Sequence, residues 1–373
     1  MTNRTLAVST LVAAIIFLGC DHVSNHADSA PPDRNRTLES TVAKAINYLR
    51  SQGQANDGSY SAHAGPGITA LITTAILRNG RSVNDPAVAV SLQYLEKFVQ
   101  KDGGIYQPGT LYRNYETCLS IVCFQVANED GQYDAIIQKA DKFIKELQWD
   151  QDEGKDPRDP AYGGAGYGKH RRPDLSNSTF FVEALRAAGN AADSEALQRA
   201  LLFVSRCQNL ETEFNTTALA AKINDGGFYY TAAEGGKSQS GVTDNGGLRS
   251  YGSMTYAGLK SMIYAGVGPE DFRVKAAIGW IQRHYDLESN PGLGDSGLYY
   301  YYHTFAKALS VLGEHTFVDA EGIEHDWRSE LIHELAGKQR EDGSWINGNA
   351  RWLEGDQNLV TGYALLALSY CRK

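Results

Sequence analysis

The chain has 373 residues, 42% of them hydrophobic and 21% charged. That is a globular composition with apolar surface for a large core, which excludes disorder, collagen and coiled coil as the main class. Thirty-five basic against 44 acidic residues leave a net charge of −9, so no phosphate-binding footprint is present and nucleic acid is not an expected partner.

In chain order, a single positive charge, Arg4, precedes an apolar run from Leu6 to Leu18, closed by Gly19 and Cys20. This is the layout of a secretory signal peptide, and the run is too short for a typical spanning helix. The Gly-Cys ending resembles the bacterial lipoprotein signal, in which the cysteine becomes the acylated first residue of the mature chain. Residues 1–20 are therefore read as a lipoprotein-type signal with Cys20 as the lipidation site. An ordinarily cleaved signal and a retained anchor are the alternatives. Residues 21–37 are polar with a Pro pair and are read as a flexible tether to a folded domain over 38–373. The expected location is exported, on the periplasmic or cell-surface side, held to a membrane by the N-terminal lipid. Cys118, Cys123, Cys207 and Cys371 form no CxxC pair and lie in apolar helical stretches. They are read as buried free thiols, although an exported chain permits a disulfide.

Beyond residue 38, helical stretches alternate with loops rich in Gly and aromatic residues. Amphipathic helices are predicted at roughly 38–52, 84–100, 132–148, 193–208, 269–286 and 326–339. In the second of these, Val90, Leu92, Leu95, Phe98 and Val99 alternate with Gln93, Glu96 and Lys97. Each is followed by a helix apolar on most sides, at roughly 66–79, 114–128, 175–188, 250–265, 299–312 and 358–370. Asp85-Pro86 and Gly268-Pro269-Glu270 fit helix starts, and Gly80, Gly189, Gly266 and Gly313 fit helix ends. An amphipathic helix followed by an apolar one, six times over, implies an inner barrel of apolar helices shielded by an outer ring.

The first helix of a pair ends in Gln and a turn at Gln54–Tyr60, Gln100–Tyr106 and Gln339–Trp345, each fitting Q-x3-G-x-aromatic. Looser copies are Tyr162–Tyr167, Asp225–Tyr229 and Asp295–Tyr299. The glycine permits a tight reversal, the aromatic packs over the helix end, and the Gln amide bonds exposed backbone there. This turn resembles the QW motif of the terpenoid cyclase and protein prenyltransferase superfamily. The resemblance covers nearly the whole chain after residue 38 and implies an all-α (α/α)6 toroid of six helical hairpins in two concentric rings. These motifs speak for architecture and say little about chemistry.

Squalene-hopene-type cyclases start their cation cascade from a D-x-D-D-T motif at the start of an inner helix. The matching segment is Asp174-Leu175-Ser176-Asn177-Ser178-Thr179, with Ser176 where the protonating Asp stands. A serine hydroxyl is far too weak an acid to protonate an alkene. Asp174 and Asn177 also suit a helix cap. Protein prenyltransferases hold zinc through Asp, Cys and His. His303 in Asp295–Thr304 matches the His, but Tyr251-Gly252-Ser253 stands where the other two ligands belong. One His does not make the site that catalytic zinc needs, so no metal or cofactor is expected. His303 is read instead as a hydrogen-bonded residue near a cavity mouth.

What remains is a cavity at one end of the barrel. Asp174 and His170 are the candidate acid/base pair, and Arg171, Arg172, Asn177, Arg249, Tyr251, Tyr256, Tyr299, His303 and Trp352 are candidate ligand contacts. The basic run Lys169–Arg172 reads either as a solvated loop or as an anion subsite. Many of the tyrosines also read as core residues with a bonded hydroxyl. The expected function is binding of a small hydrophobic or amphipathic ligand, an isoprenoid first, by a toroid whose standard catalytic motifs are degraded. A divergent, still catalytic cyclase or prenyltransferase is one alternative. A polysaccharide-acting α/α-toroid enzyme is the other.

Overall fold

In the computed structural model the described residues are 34–168 and 171–372. Cys20, the signal segment, most of the tether, Lys169 and His170 lie outside them.

Six helices are apolar almost all round and six are apolar on one side, and this difference sorts them into two rings. The pairs are α1 (Arg34–Tyr48) with α2 (Pro66–Arg78), α3 (Pro86–Glu96) with α4 (Arg113–Val126), and α5 (Asp134–Lys145) with α6 (Leu175–Ala187). They continue with α7 (Glu195–Arg206) and α8 (Gly252–Tyr264), α9 (Phe272–Arg283) and α10 (Leu298–Leu312), and α11 (Trp327–Lys338) and α12 (Gln357–Ser369). Each even-numbered helix packs on the next, and α12 packs on α2, so the inner ring closes. Each odd-numbered helix packs behind the preceding inner helix: α3 on α2, α5 on α4, α7 on α6, α9 on α8, α11 on α10 and α1 on α12. In α2, every residue from Pro66 to Ile76 is buried, while in α5 only Ile137, Ala140, Phe143 and Ile144 are. The architecture is an all-α (α/α)6 toroid. A short hairpin of β1 (Phe317–Val318) and β2 (Glu324–His325) precedes α11.

The inner helices fall within two residues of their predicted bounds, whereas the outer ones are mostly shorter. α3 stops at Glu96 because Val99 pairs with Ile105 in an isolated bridge. α1 starts earlier than expected, at Arg34, and so takes in the last residues assigned to the tether. Arg34 donates to the Cys371 carbonyl at 3.0 Å and lies 3.6 Å from the Asp326 carboxylate, which ties the helix start to the chain end. All four cysteines named above from Cys118 to Cys371 are buried free thiols.

The turns after five of the six outer helices share three kinds of contact that recur around the ring. The first is through the Gln amide. Gln54 donates to the Ala87 carbonyl of α3 at 2.7 Å, and Gln339 donates to Thr41 of α1 at 2.9 Å. Gln148 and Gln208, not singled out from the sequence, do the same toward Ala196 of α7 and Arg273 of α9, both at 2.9 Å. They also bond the Gly163 and Gly226 carbonyls, 15 and 18 residues further on. Two of the looser copies therefore carry the Gln and the turn glycine, separated by insertions. Gln100 differs, because it bonds only carbonyls of its own turn, Phe98 and Tyr106.

The second contact is through the turn glycine. Gly58, Gly103, Gly163, Gly226 and Gly343 all have φ between +84° and +92°. A Cβ on them would stand 1.8–2.8 Å from a backbone carbonyl oxygen, belonging to Val90, Lys139, Arg199, Ala276 and Lys44 respectively. Each of these carbonyls lies in the next outer helix. The third contact comes from a hydroxyl in the first turns of the inner helix. Thr69, Thr117, Ser178, Thr255 and Thr361 accept the backbone N–H of Tyr60, Ile105, Ala165, Phe228 and Trp345 at 2.9–3.2 Å.

Gly163 and Gly189 share nearly the same positive φ, but a Cβ on Gly189 meets nothing within 4 Å. Gly189→Ala is expected to cost about 1 kcal/mol, the ordinary left-handed penalty. Gly163→Ala adds a backbone clash and is expected to cost ~3 kcal/mol or more. Urea unfolding of the two variants checks the difference.

Candidate functional site

At the end of the barrel where the inner helices begin, most polar side chains cap helices. Asp174, extended at φ −143° and ψ 160°, accepts from the Asn177 N–H at 2.9 Å and from the Asn177 side-chain amide at 2.8 Å. Burial pushes its carboxyl up to about 6, against the hydrogen bonds from Asn177 and Tyr230. Asp356 caps α12 through the Leu359 N–H at 2.9 Å. Two helices are capped by other segments. Asn290 accepts from Ser253 at the start of α8 at 3.0 Å, and Glu354 accepts from Tyr300 in the first turn of α10 at 2.8 Å.

Glu116 is different. It is 1% exposed, and one oxygen accepts from the Gln107 N–H at 2.8 Å. The other is buried without a partner and faces the α-carbon of Gly65. Burial pushes this carboxyl up to about 7, against the bonds from Gln107 and Thr110.

The remaining residues predicted for the site do not converge. Arg171 and Arg249 are exposed, and Arg172 is half-buried near Asp174. Tyr251 is buried at the start of α8, with its N–H on the Phe228 carbonyl. Tyr256 does not line the axial cavity described below. It is sealed in the core against Tyr301 and Phe305, with ring centroids 5.7 and 5.1 Å away. Tyr299 is buried edge-on against Tyr302 at 5.6 Å. Trp352 is exposed at φ +56°, with the Arg351 guanidinium 4.1 Å from its ring.

Aromatic rings mark a path inward from this end. It starts at the exposed pair Tyr112 and Tyr167, 5.2 Å apart, and passes to Tyr115 at 6.3 Å. Tyr115 meets Phe180 at 5.3 Å, Phe180 meets Tyr300 at 6.2 Å, and Tyr300 meets Tyr363 at 5.8 Å. Tyr363 stacks on His303 at 5.8 Å, and His303 lies 6.4 Å from Tyr370. Ser176, at the position of the missing acid, lies on this path with its hydroxyl 3.1 Å from that of Tyr300.

The path leads to a small cavity on the axis. Its wall is made by Leu71, Thr74 and Arg78 of α2, Leu119 and Val122 of α4, Phe180 and Glu183 of α6, His303 of α10 and Leu366 of α12. His303 was expected as a hydrogen-bonded residue near the mouth. It lies instead on the cavity wall, 5% exposed, and neither ring nitrogen has a partner. Burial first, then the charges of Lys260 and Arg78, push it down to about 3, which keeps the imidazole neutral. Among the described residues, no group of three or more His, Cys, Asp or Glu is placed to hold a metal ion.

Behind this wall lies a charged cluster that the sequence reading missed. Glu183 bonds Lys260 at 3.3 Å through one oxygen and contacts the Lys307 ammonium through the other. Lys260 and Lys307 are 4% and 2% exposed. Burial, reinforced by Arg78, pushes both lysines down, Lys260 to about 7. Arg78 donates to the Tyr370 hydroxyl and sits 5.7 Å from that ring. The sequence signal was a lone charge inside an apolar helix, as in Phe180-Phe-Val-Glu183-Ala-Leu185 and Phe305-Ala-Lys307-Ala-Leu309. A helix buried all round forces such a charge to find a partner inside.

A closed double ring of this kind, with an axial cavity, defines a terpenoid cyclase-like all-α toroid. By sequence, no family model and no curated protein matches the chain. By structure, it is similar to the type II terpene cyclase MstE from Scytonema in its apo form, with a TM-score of 0.56 and 13% identity. That alignment covers 91% of this chain and 98% of the cyclase. Two further structures of the same cyclase align with TM-scores of 0.32. One is a variant with the substrate geranylgeranyl dihydroxybenzoate, at 12% identity over 91% of this chain and 98% of that one. The other is a variant with the product merosterolic acid A, at 13% identity over 90% of this chain and 97% of that one.

Glu116 gives a pH signature. A carboxyl raised from 4.5 to about 7 on folding leaves the folded state protonated where the unfolded state is not. Its contribution to stability is full below about pH 4.5 and is lost as pH rises through about 7, on the order of 3 kcal/mol. Glu116→Gln is therefore expected to be more stable than the wild type at pH 8 and not at pH 4. Urea unfolding between those pH values checks the sign.

Proposed function

We propose that the protein binds an isoprenoid, or a closely similar amphipathic chain, along the axis of the toroid. The observation that carries this reading is the unbroken series of rings from Tyr112 to His303 leading into a cavity walled by Leu71, Leu119, Val122, Phe180 and Leu366. Aromatic rings give a chain with double bonds a wide apolar contact with little entropy to lose. The fold likeness to a terpene cyclase supports the ligand class by analogy only. With Ser176 in place of the acid, the ligand is held without protonation-initiated cyclisation.

A still catalytic site is the second reading. Asp174, a buried carboxyl pushed up to about 6 beside the aromatic path, is the observation that favours it. If it acts as the acid, squalene or a polyprenyl substrate incubated with the wild type yields cyclised product, and Asp174→Asn yields none. On the binding reading the substrate is recovered unchanged from both.

Binding itself is tested by thermal shift with squalene, a C20 polyprenyl alcohol and a polyprenyl quinone in detergent, against acidic and neutral oligosaccharides. An isoprenoid at one hundred times its dissociation constant should add about 2.7 kcal/mol of stability. Val122→Phe, which fills the cavity, should abolish the shift while the protein still folds. A shift with oligosaccharides alone moves the protein to the carbohydrate reading.

The binding site is proposed to work from the outer side of a membrane, on a lipid attached at Cys20. The Leu6–Leu18 run and Gly19-Cys20 support this reading. Cells fed labelled palmitate should label the protein, and Cys20→Ser should lose both the label and the membrane fraction.

A further inference from the structure

Basic side chains outnumber acidic ones around the axial cavity. Three basic side chains, Arg78, Lys260 and Lys307, are grouped around a single carboxylate, Glu183, and both oxygens of that carboxylate are occupied by the lysines. Arg78, which lines the cavity itself, is bonded by the neutral Tyr370 hydroxyl. A guanidinium does not relieve this by losing its proton, as a buried lysine does. Beside it, His303 presents two unpartnered ring nitrogens from a nine-tenths-buried position. Buried polar nitrogens almost always have a partner, so this one is placed for a group the protein does not itself supply. The rest of the wall is apolar apart from Thr74, whose hydroxyl bonds the Ala70 carbonyl.

We infer that the axial cavity takes an apolar chain ending in a single carboxylate, with the head against Arg78 and His303 and the tail running past Phe180 toward Tyr300. The inference rests on the proposed axial binding and narrows its ligand to an acid. Arg78 supplies the charge and the fork that fits a carboxylate. His303, neutral, donates one N–H to the head. Lys260 and Lys307 occupy both oxygens of Glu183 from behind, which leaves the Arg78 guanidinium to the ligand. One free guanidinium suits a monoanion and not a diphosphate. Polyprenyl acids and fatty acids share this chemistry.

The test is equilibrium binding to the full chain in detergent at pH 7. The probes are a C20 polyprenyl carboxylic acid, the matching alcohol, and a C20 fatty acid. The polyprenyl acid should bind about tenfold tighter than the alcohol, or about 1.4 kcal/mol. Arg78→Met should bring the acid to the level of the alcohol, leave the alcohol unchanged, and be partly rescued by Arg78→Lys. Glu183→Gln should act in the opposite direction and tighten the acid, because the opposing carboxylate is removed. A merely destabilising effect would weaken all the probes together. Equal binding of acid and alcohol, or weaker acid binding by Glu183→Gln, overturns the inference and leaves axial isoprenoid binding standing. Binding of the fatty acid alone upholds the acidic head and overturns the isoprenoid. Binding of none of the three overturns both.

Discussion

The contact on which the rest depends is the approach of a turn glycine to the backbone of the next outer helix. At Gly163 the Arg199 carbonyl oxygen would be 1.8 Å from any Cβ, and four other turns repeat the arrangement. No other residue type permits both the positive φ and that approach. Glutamine amides from the same turns reach the next outer helix at four of these places, Gln54, Gln148, Gln208 and Gln339. Five of the six hairpins are thereby fixed to the next through backbone groups, which do not depend on how the surface side chains vary. Gln339 on Thr41 and Gly343 against Lys44 carry the same bond from the last hairpin to the first. The last hairpin is joined to the first by the same turn that joins most of the others.

Closure decides what the axis can be. Each inner helix has inner neighbours on both sides and an outer helix behind it, so only a narrow stripe of its side chains faces inward. The hydroxyls of Thr69, Thr117, Ser178, Thr255 and Thr361 are taken up by the turns. Asp174, Asn290, Glu354 and Asp356 are taken up by helix starts. What is left for the axis is aromatic at the entry and apolar in the middle. Beyond that lie His303, Arg78 and the Glu183–lysine cluster. Polar groups at the helix starts therefore serve the scaffold more than a ligand, and the chemistry of interest lies deeper.

The recognisable motifs lie at the entry. Asp174 and Asn177 were found because they sit in a recognisable segment, and the structure joins them in a cap. Tyr256 was chosen as a tyrosine at the start of an inner helix. Its ring packs instead on Tyr301 and Phe305, because near a helix start a shift of one residue turns a side chain by about 100°. His303 was chosen from the motif that surrounds it, but its depth and its unpartnered nitrogens were not legible there. Glu183, Lys260 and Lys307 were legible only as single charges in apolar helices, and nothing local says that helices α6, α8 and α10 bring them together.

By itself the sequence determined the six hairpins, their order, the inner and outer character of each helix, and the turns that join them. These follow from local patterns: the spacing of apolar residues, the glycines, and the Gln before three of the turns. It missed Gln148 and Gln208 because insertions of variable length separate them from Gly163 and Gly226, and only the folded chain closes that gap. Only the tertiary structure decided which side chains share the axis. That depends on the rotation of each inner helix about its own length, which is set by packing against three neighbours at once. A pattern of apolar residues fixes such a rotation for a helix buried on one side. For helices buried on nearly all sides it does not, because every face looks alike in the sequence.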